Sequence, residues 1–194
     1  MSSEESPLGF LVRAIAFAAE KHRHQRRKDA AASPYINHPI ALANVLANEG
    51  GVFDPVVLCA AILHDTIEDT QTTAEELEGM FGSEVTAVVL EVTDDKNLDS
   101  HLRKRLQIEH APHRSPQAKL VKLADKICNL RDLLSAPPKD WGAERKLDYF
   151  DWAAQVVAGV RGTHAGLEAI FDGLLAREGE LGQARDWAAR YYEH

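Results

Sequence analysis

The chain has 194 residues, with 22 Lys and Arg against 30 Asp and Glu and a formal net charge of −8. That length fits one domain able to bury about 70 % of its unfolded surface, and the acidic balance argues against a general nucleic-acid binder, whose field is positive. No apolar run approaches the ~20 residues of a bilayer span, and the start MSSEESPLGF lacks the basic-then-apolar pattern of a secretory signal, so the expectation is a cytoplasmic protein without a membrane partner.

Helical spacing runs through the chain in order. Ser6-Pro7 reads as an N-cap followed by proline at the first helical position, and Phe10, Leu11, Ala14, Ile15 and Ala18 then recur on one face. His38-Pro39 opens a second helix that closes at Asn48 and Gly50-Gly51. Asp54-Pro55 opens a third, which runs through Val56, Val57, Ala60, Ala61 and Leu63 into His64-Asp65. Thr73 with Glu76 matches a capping box, and Ser83 is set to cap a helix through Val85, Val88, Val89 and Val92. Ser115-Pro116 starts a helix with Leu120, Val121, Ala124, Ile127 and Cys128 as its apolar face. A longer one follows Trp141-Gly142 and ends before Gly162, and the tail with Leu167, Ile170, Phe171, Leu174 and Leu175 suggests one or two more. No stretch alternates long enough to be a core strand. The expectation is an all-α domain over 1–194, with the chemistry carried on loops 28–37 and 66–73. Cys59 and Cys128 lie in apolar helical patterns and read as reduced, buried thiols.

Four residues form the right chemical set for one divalent metal: His38, His64, Asp65 and Asp125. Two carboxylates balance a 2+ ion, two imidazoles complete the set, and a six-coordinate ion keeps about two positions for water and substrate oxygen. A lone His-Asp pair is weak, since it serves equally as an internal hydrogen bond. Here it ends the apolar run LCAAILHD, where a polar pair is costly without partners. Asp125 stands in the otherwise apolar LVKLADKICNL, with Asn129 one turn on. If the turn after Leu63 stays helical, Glu68 and Asp69 lie four residues from His64 and Asp65, close enough to handle the proton of an attacking water; without a metal they are ordinary acids in a turn. Basic residues concentrate at Arg26-Arg27-Lys28 and at Lys119, Lys122, Lys126 and Arg131, where a small polyanion could bind despite the overall charge. Paired-cysteine zinc spacing, an HExxH helix, GxxxxGK[ST], GxSxG and GxGxxG are all missing. Zinc-protease, ATP-driven, serine acyl-transfer and Rossmann chemistry are therefore disfavoured.

The segments RRKDAAASPYINHPIALA, AAILHDTIEDT, EVTDDK, KLVKLADKICNLRDL and YFDWAAQVV resemble the small alarmone hydrolases of the HD superfamily. These are stand-alone relatives of the hydrolase half of RelA/SpoT proteins, and the metazoan SpoT-like branch is the nearest pattern. The resemblance spans Leu8 to Val160, with 163–194 left as a C-terminal helical extension. It implies a compact HD-domain bundle of about ten helices around one metal, usually Mn2+, and removal of pyrophosphate from the 3′ position of guanosine tetra- and pentaphosphate. It also implies His38, His64, Asp65 and Asp125 as ligands, with Glu68 and Asp69 activating and orienting water. Arg27, Lys28 and Tyr35 match the loop facing base and phosphates, Asn129 the ribose contact, and Arg145 and Tyr149 a pair near the phosphates. Ser100 departs from the metazoan pattern, which carries a lysine there. The remaining chain has no room for a synthetase domain, so degradation without synthesis is expected. Alternatives are a relative acting on the 2′-phosphate of NADPH or on adenosine alarmones, and a sensor that binds alarmone without turnover. Intact Glu68 and Asp69 argue against the sensor.

Overall fold

The computed structural model describes residues 5–181. Eight α-helices of two turns or more occur among them, α1 (Pro7–Lys21), α2 (Asn37–Asn44), α3 (Pro55–Leu63), α5 (Ala74–Val92), α6 (Ser100–His110), α7 (Pro116–Ser135), α8 (Ala143–Ala158) and α9 (Ala165–Leu175), together with the single turn α4 (Thr66–Asp69). The all-α reading holds, with about eight helices in place of the expected ten. No strand occurs among the described residues; an isolated antiparallel bridge joins Arg26 to Pro34 across the loop before α2.

Local chemistry sets most of the helix starts. Ser6, Asp54 and Ser115 each accept a backbone N–H in the first turn, from Gly9, Val56 and Ala118 at 3.1, 2.9 and 3.2 Å, and each is followed by proline at the first helical position. Thr73 accepts from the Glu76 N–H at 3.2 Å, but the expected box is only half made. The Glu76 carboxylate instead takes Lys21 of α1 at 2.8 Å, a charge-assisted partner stronger than a backbone amide. α2 begins one residue before the expected His38 and passes into a π-helical turn, Val45–Glu49, which ends at Gly50 and at Gly51 with φ +66°.

Two differences have clear causes. The helix expected after Ser83 is present as the second of two helical segments that meet within α5 at a kink, but Gly82, at φ 81°, ψ 166°, marks its start, and the Gly82 carbonyl accepts the Thr86 hydroxyl at 2.9 Å. That backbone region is essentially restricted to glycine. α6 carries no expected periodicity, since SHLRKRLQIEH buries no residue fully. It is held by half-buried Ile108 against the core and by polar contacts: the Trp152 indole donates to the Lys104 carbonyl at 3.0 Å, and the Gln107 amide donates to Asp94 at 2.5 Å.

α3 is the axis of the fold. Residues Val57 to Leu63 are all buried, so the helix is apolar on every side, as a helix surrounded by others must be. α1, α2, α5 and α7 pack around it. Its C-terminal end therefore delivers His64 and Asp65 to the middle of the bundle, facing α2 and α7. Cys59 and Cys128 are free and buried. α9 packs on α7, and its cap residue His164 donates from Nε2 to the Gly50 carbonyl at 2.9 Å while Nδ1 accepts the Leu167 N–H. Any second tail helix beyond residue 181 lies outside the described residues.

Gly82→Ala is expected to destabilise the protein by about 1–3 kcal/mol through backbone strain alone, since an added Cβ there meets nothing within 4 Å. Gly79→Ala, in the exposed helical part of α5 with equally open space, should stabilise it by about 0.5–1 kcal/mol. Urea unfolding midpoints of the two variants should move in opposite directions.

Candidate metal centre

Three elements supply the centre. His38 is the second residue of α2. His64 ends α3, where the Thr66 hydroxyl takes the Leu63 carbonyl at 2.7 Å and interrupts the helix. Asp65 then sits at φ −101°, ψ 1°, the sparsely allowed bridge region. His38, His64 and Asp65 each offer a donor atom, all within 4.8 Å of one another. Asp125, from the middle of α7, stands at the side of this group with Oδ1 at 3.3 Å from His38 Nε2. Its oxygens are engaged by the Asn129 amide at 2.7 Å and by Lys126 Nζ at 2.9 Å.

The donor chemistry suits a divalent cation. His64 Nδ1 lies 2.8 Å from the Ala61 carbonyl, which requires the proton on Nδ1 and turns Nε2 toward Asp65 Oδ2 at 2.9 Å. His38 Nδ1 is buried with no hydrogen-bond partner, a loss of about 1–3 kcal/mol for a nitrogen that serves nothing. Two carboxylates and two imidazoles are a donor set of the kind a divalent cation takes. Burial opposes protonation of His64, but the Asp65 and Asp125 carboxylates outweigh it and bring its pKa up to about 9. Burial also works against the Asp65 anion, yet His64, His38 and the Tyr35 hydroxyl together hold its carboxyl below the usual range.

Glu68 and Asp69 leave the centre in different directions. The Asp69 N–H bonds to the Asp65 carbonyl at 2.8 Å, so the helical turn does persist there. Asp69 accepts the Gln25 amide at 2.6 Å and also Lys96. Glu68 accepts the Asp94 N–H at 3.0 Å and has Arg103 at 3.6 Å. Burial, with Asp65, Asp94 and Asp69 nearby, raises the Glu68 pKa despite the Asp94 N–H, the direction a proton-handling carboxyl needs.

A cavity of about 620 Å³ opens beside the centre, within the size range of nucleotide-sized pockets. Arg27, Lys28, Tyr35, His38, Asp69, Asn129 and Tyr149 are among its lining residues. Several are less free than their positions in the chain imply. Arg27 pairs with Asp132, and the Tyr35 hydroxyl donates to Asp65. Arg145 does not line the cavity: it is exposed and stacks over Trp141, 4.4 Å from the ring centroid. Of the basic series on α7, Arg131 turns away to Glu49 at 2.7 Å and Lys122 caps the Val92 carbonyl at 2.8 Å. Gln25, Trp141 and Asp132 escape a reading by motif, and Lys126, expected among basic residues open to a polyanion, is instead buried against Asp125. Gln25 stands next to Arg26-Arg27-Lys28 without a charge to draw notice, and Lys126 follows an aspartate as a neighbour that a helix normally turns elsewhere.

The HD domain profile matches residues 14–149. The chain belongs to the HD-domain family. It is 54 % identical over 174 residues to the guanosine-3′,5′-bis(diphosphate) 3′-pyrophosphohydrolase MESH1 of Xenopus tropicalis, covering 90 % of this chain and 97 % of that protein. Its identity to the human protein of the same name is 56 % over 169 residues, covering 87 % and 94 %. Among solved structures, one described as a metazoan ortholog of SpoT that hydrolyzes ppGpp superposes with a TM-score of 0.86 at 46 % identity, covering 92 % of this chain and 99 % of that one. HD-domain membership and the His38, His64, Asp65 group together point to a divalent metal.

The Asp65 and Asp125 carboxylates raise the His64 pKa to about 9, so a metal bound at its Nε2 would have to displace a proton. Mn2+ affinity measured by calorimetry should rise by about tenfold per pH unit from pH 6 toward that value and level off above it. A flat profile over this range would show that no proton leaves His64 when metal binds.

Proposed function

We propose that this protein is a metal-dependent guanosine-3′,5′-bis(diphosphate) 3′-pyrophosphohydrolase, converting the tetra- and pentaphosphate to GDP or GTP and pyrophosphate. The observation that carries the reading is the adjacency of the metal-type group to a nucleotide-sized cavity with cations and aromatics on its walls. The names of relatives that match nearly their whole length support it. On this reading residues 1–194 act as one HD-type phosphohydrolase unit, with 163–194 as a C-terminal extension. The two free cysteines agree with a cytoplasmic location.

His38, His64, Asp65 and Asp125 would hold one Mn2+, whose liking for mixed carboxylate and imidazole donors fits them, and the ion supplies Lewis acidity toward phosphate oxygen and water. Glu68, with its raised pKa, takes a proton from the attacking water, and Asp69, fixed by Gln25 and Lys96, orients that water. The water oxygen bonds to the 3′-linked phosphorus, the bond from that phosphorus to ribose O3′ breaks, and O3′ receives a proton. Arg27 and Lys28 lie on the cavity wall where a polyanion can meet them, against the overall acidic field. Tyr149 lines the cavity and keeps the place near the phosphates, Trp141 offers an aromatic face to the base, and Asn129 stands between Asp125 and the cavity, suited to a ribose contact. Tyr35 holds Asp65, and Arg145 reaches phosphate only by leaving its stack on Trp141.

Purified protein incubated with Mn2+ and guanosine tetraphosphate should yield GDP and pyrophosphate. Inorganic phosphate and NADH from NADPH, with the tetraphosphate left intact, would assign the site to a different nucleotide, and tight binding without product would make it a sensor. Asp65→Asn should abolish turnover by removing ligand charge. Glu68→Gln should keep metal bound while slowing turnover by about 100- to 10,000-fold; full activity of that variant would overturn the role given to Glu68.

A further inference from the structure

The side chain following Asp125 is a buried cation that no step above uses. Lys126 is 2 % exposed, its Nζ lies 2.9 Å from Asp125 Oδ2, and the same nitrogen stands 4.2 Å from the centroid of the Trp152 ring. Consecutive residues on a helix point in different directions. This contact exists because the flexible lysine stem folds back beneath Trp152, which is itself anchored by its indole N–H on the Lys104 carbonyl. An ammonium taken out of water needs a carboxylate, an aromatic face or both, and Lys126 has both. Asp125 in turn has a second donor, the Asn129 amide at 2.7 Å, so its orientation does not depend on Lys126 alone. Lys122 cannot substitute, since its Nζ is spent on the Val92 carbonyl at 2.8 Å.

We propose that Lys126 is the resident counter-ion of Asp125, a positioning residue that neutralises this carboxylate when no metal is held and thereby limits how tightly a divalent ion binds. The inference rests on the reading of His38, His64, Asp65 and Asp125 as one metal centre. A cation beside a ligand carboxylate repels an incoming 2+ ion and competes for the same oxygens. Asp125, set to the side of the 4.8 Å group formed by His38, His64 and Asp65, is the ligand that such competition would hold back. Without the lysine, the metal-free protein would bury a carboxylate facing only an amide and an imidazole, and a bound ion would become its main compensation. Lys126 thereby offsets the Asp125 charge in the absence of metal and allows metal to exchange.

The experiment is calorimetric titration of the metal-stripped, full-length protein with Mn2+, paired with thermal unfolding with and without Mn2+, for wild type, Lys126→Gln, Lys126→Met and Lys126→Arg. Glutamine keeps a hydrogen-bond donor but loses the charge, so it should fold and bind Mn2+ at least tenfold tighter. Methionine should lower the melting temperature of the metal-free form and show a larger Mn2+-induced rise than wild type. Arginine keeps the charge and should restore near wild-type affinity. Tighter binding by Gln together with rescue by Arg is a pattern that a purely structural lysine would not produce. If Lys126→Gln folds and binds Mn2+ no tighter than wild type, the counter-ion role is wrong while the metal centre stands. If wild type itself takes up no Mn2+, the metal-centre reading fails and the role of Lys126 fails with it.

Discussion

Gathering carboxylates at the inner end of an apolar helix is the constraint around which the rest is arranged. Asp65 follows a helix whose residues from Val57 to Leu63 are all buried, and Asp125 faces it from α7. Glu68 and Asp69 stand one turn further on. Like charges this close in a poorly solvated region repel strongly unless matched. The structure meets that demand with a shell of donors: the two imidazoles, the Tyr35 hydroxyl on Asp65, Lys126 and Asn129 on Asp125, Gln25 and Lys96 on Asp69, and Arg103 with a backbone N–H on Glu68.

That shell also explains the poorly apolar α6. Judged by its own sequence the segment has little reason to dock, because it buries no residue fully. It does so through half-buried Ile108, Arg103 near Glu68, Gln107 on Asp94, and the Lys104 carbonyl beneath the Trp152 indole. The helix thus joins the acid pair to the aromatic cluster of α8, where Tyr149 and Trp152 meet edge to face at 5.1 Å. Of these residues Tyr149 also lines the cavity, where His38 and Asp69 form part of the wall.

Legibility in the sequence followed how local each cause was. Helices opened by Ser-Pro or Asp-Pro are recognisable because cap and proline act within four residues. The Gly82 kink was hidden because one glycine among helix formers does not announce a positive φ, and the half-made box at Thr73 was missed because Lys21, which captures Glu76, comes from another helix. The same division runs through the site. His38, His64, Asp65 and Asp125 stand out as polar residues in apolar surroundings, a signal available to anyone reading the chain. Gln25 and Asp132 look ordinary there, and only their partners 44 and 105 residues away make them notable.

The order of residues alone determined the helical class, most helix starts and the ion-seeking character of four side chains, since each depends on short-range spacing and on the cost of burying polarity. Tertiary packing decided that three of those four converge tightly while Asp125 stands aside with a lysine, that Arg27 and Tyr35 are already engaged, and that Arg145 lies on Trp141 outside the cavity. The reason is physical: a charged group takes whichever counter-charge comes within a few ångströms, and that distance is set by how helices pack, not by position along the chain.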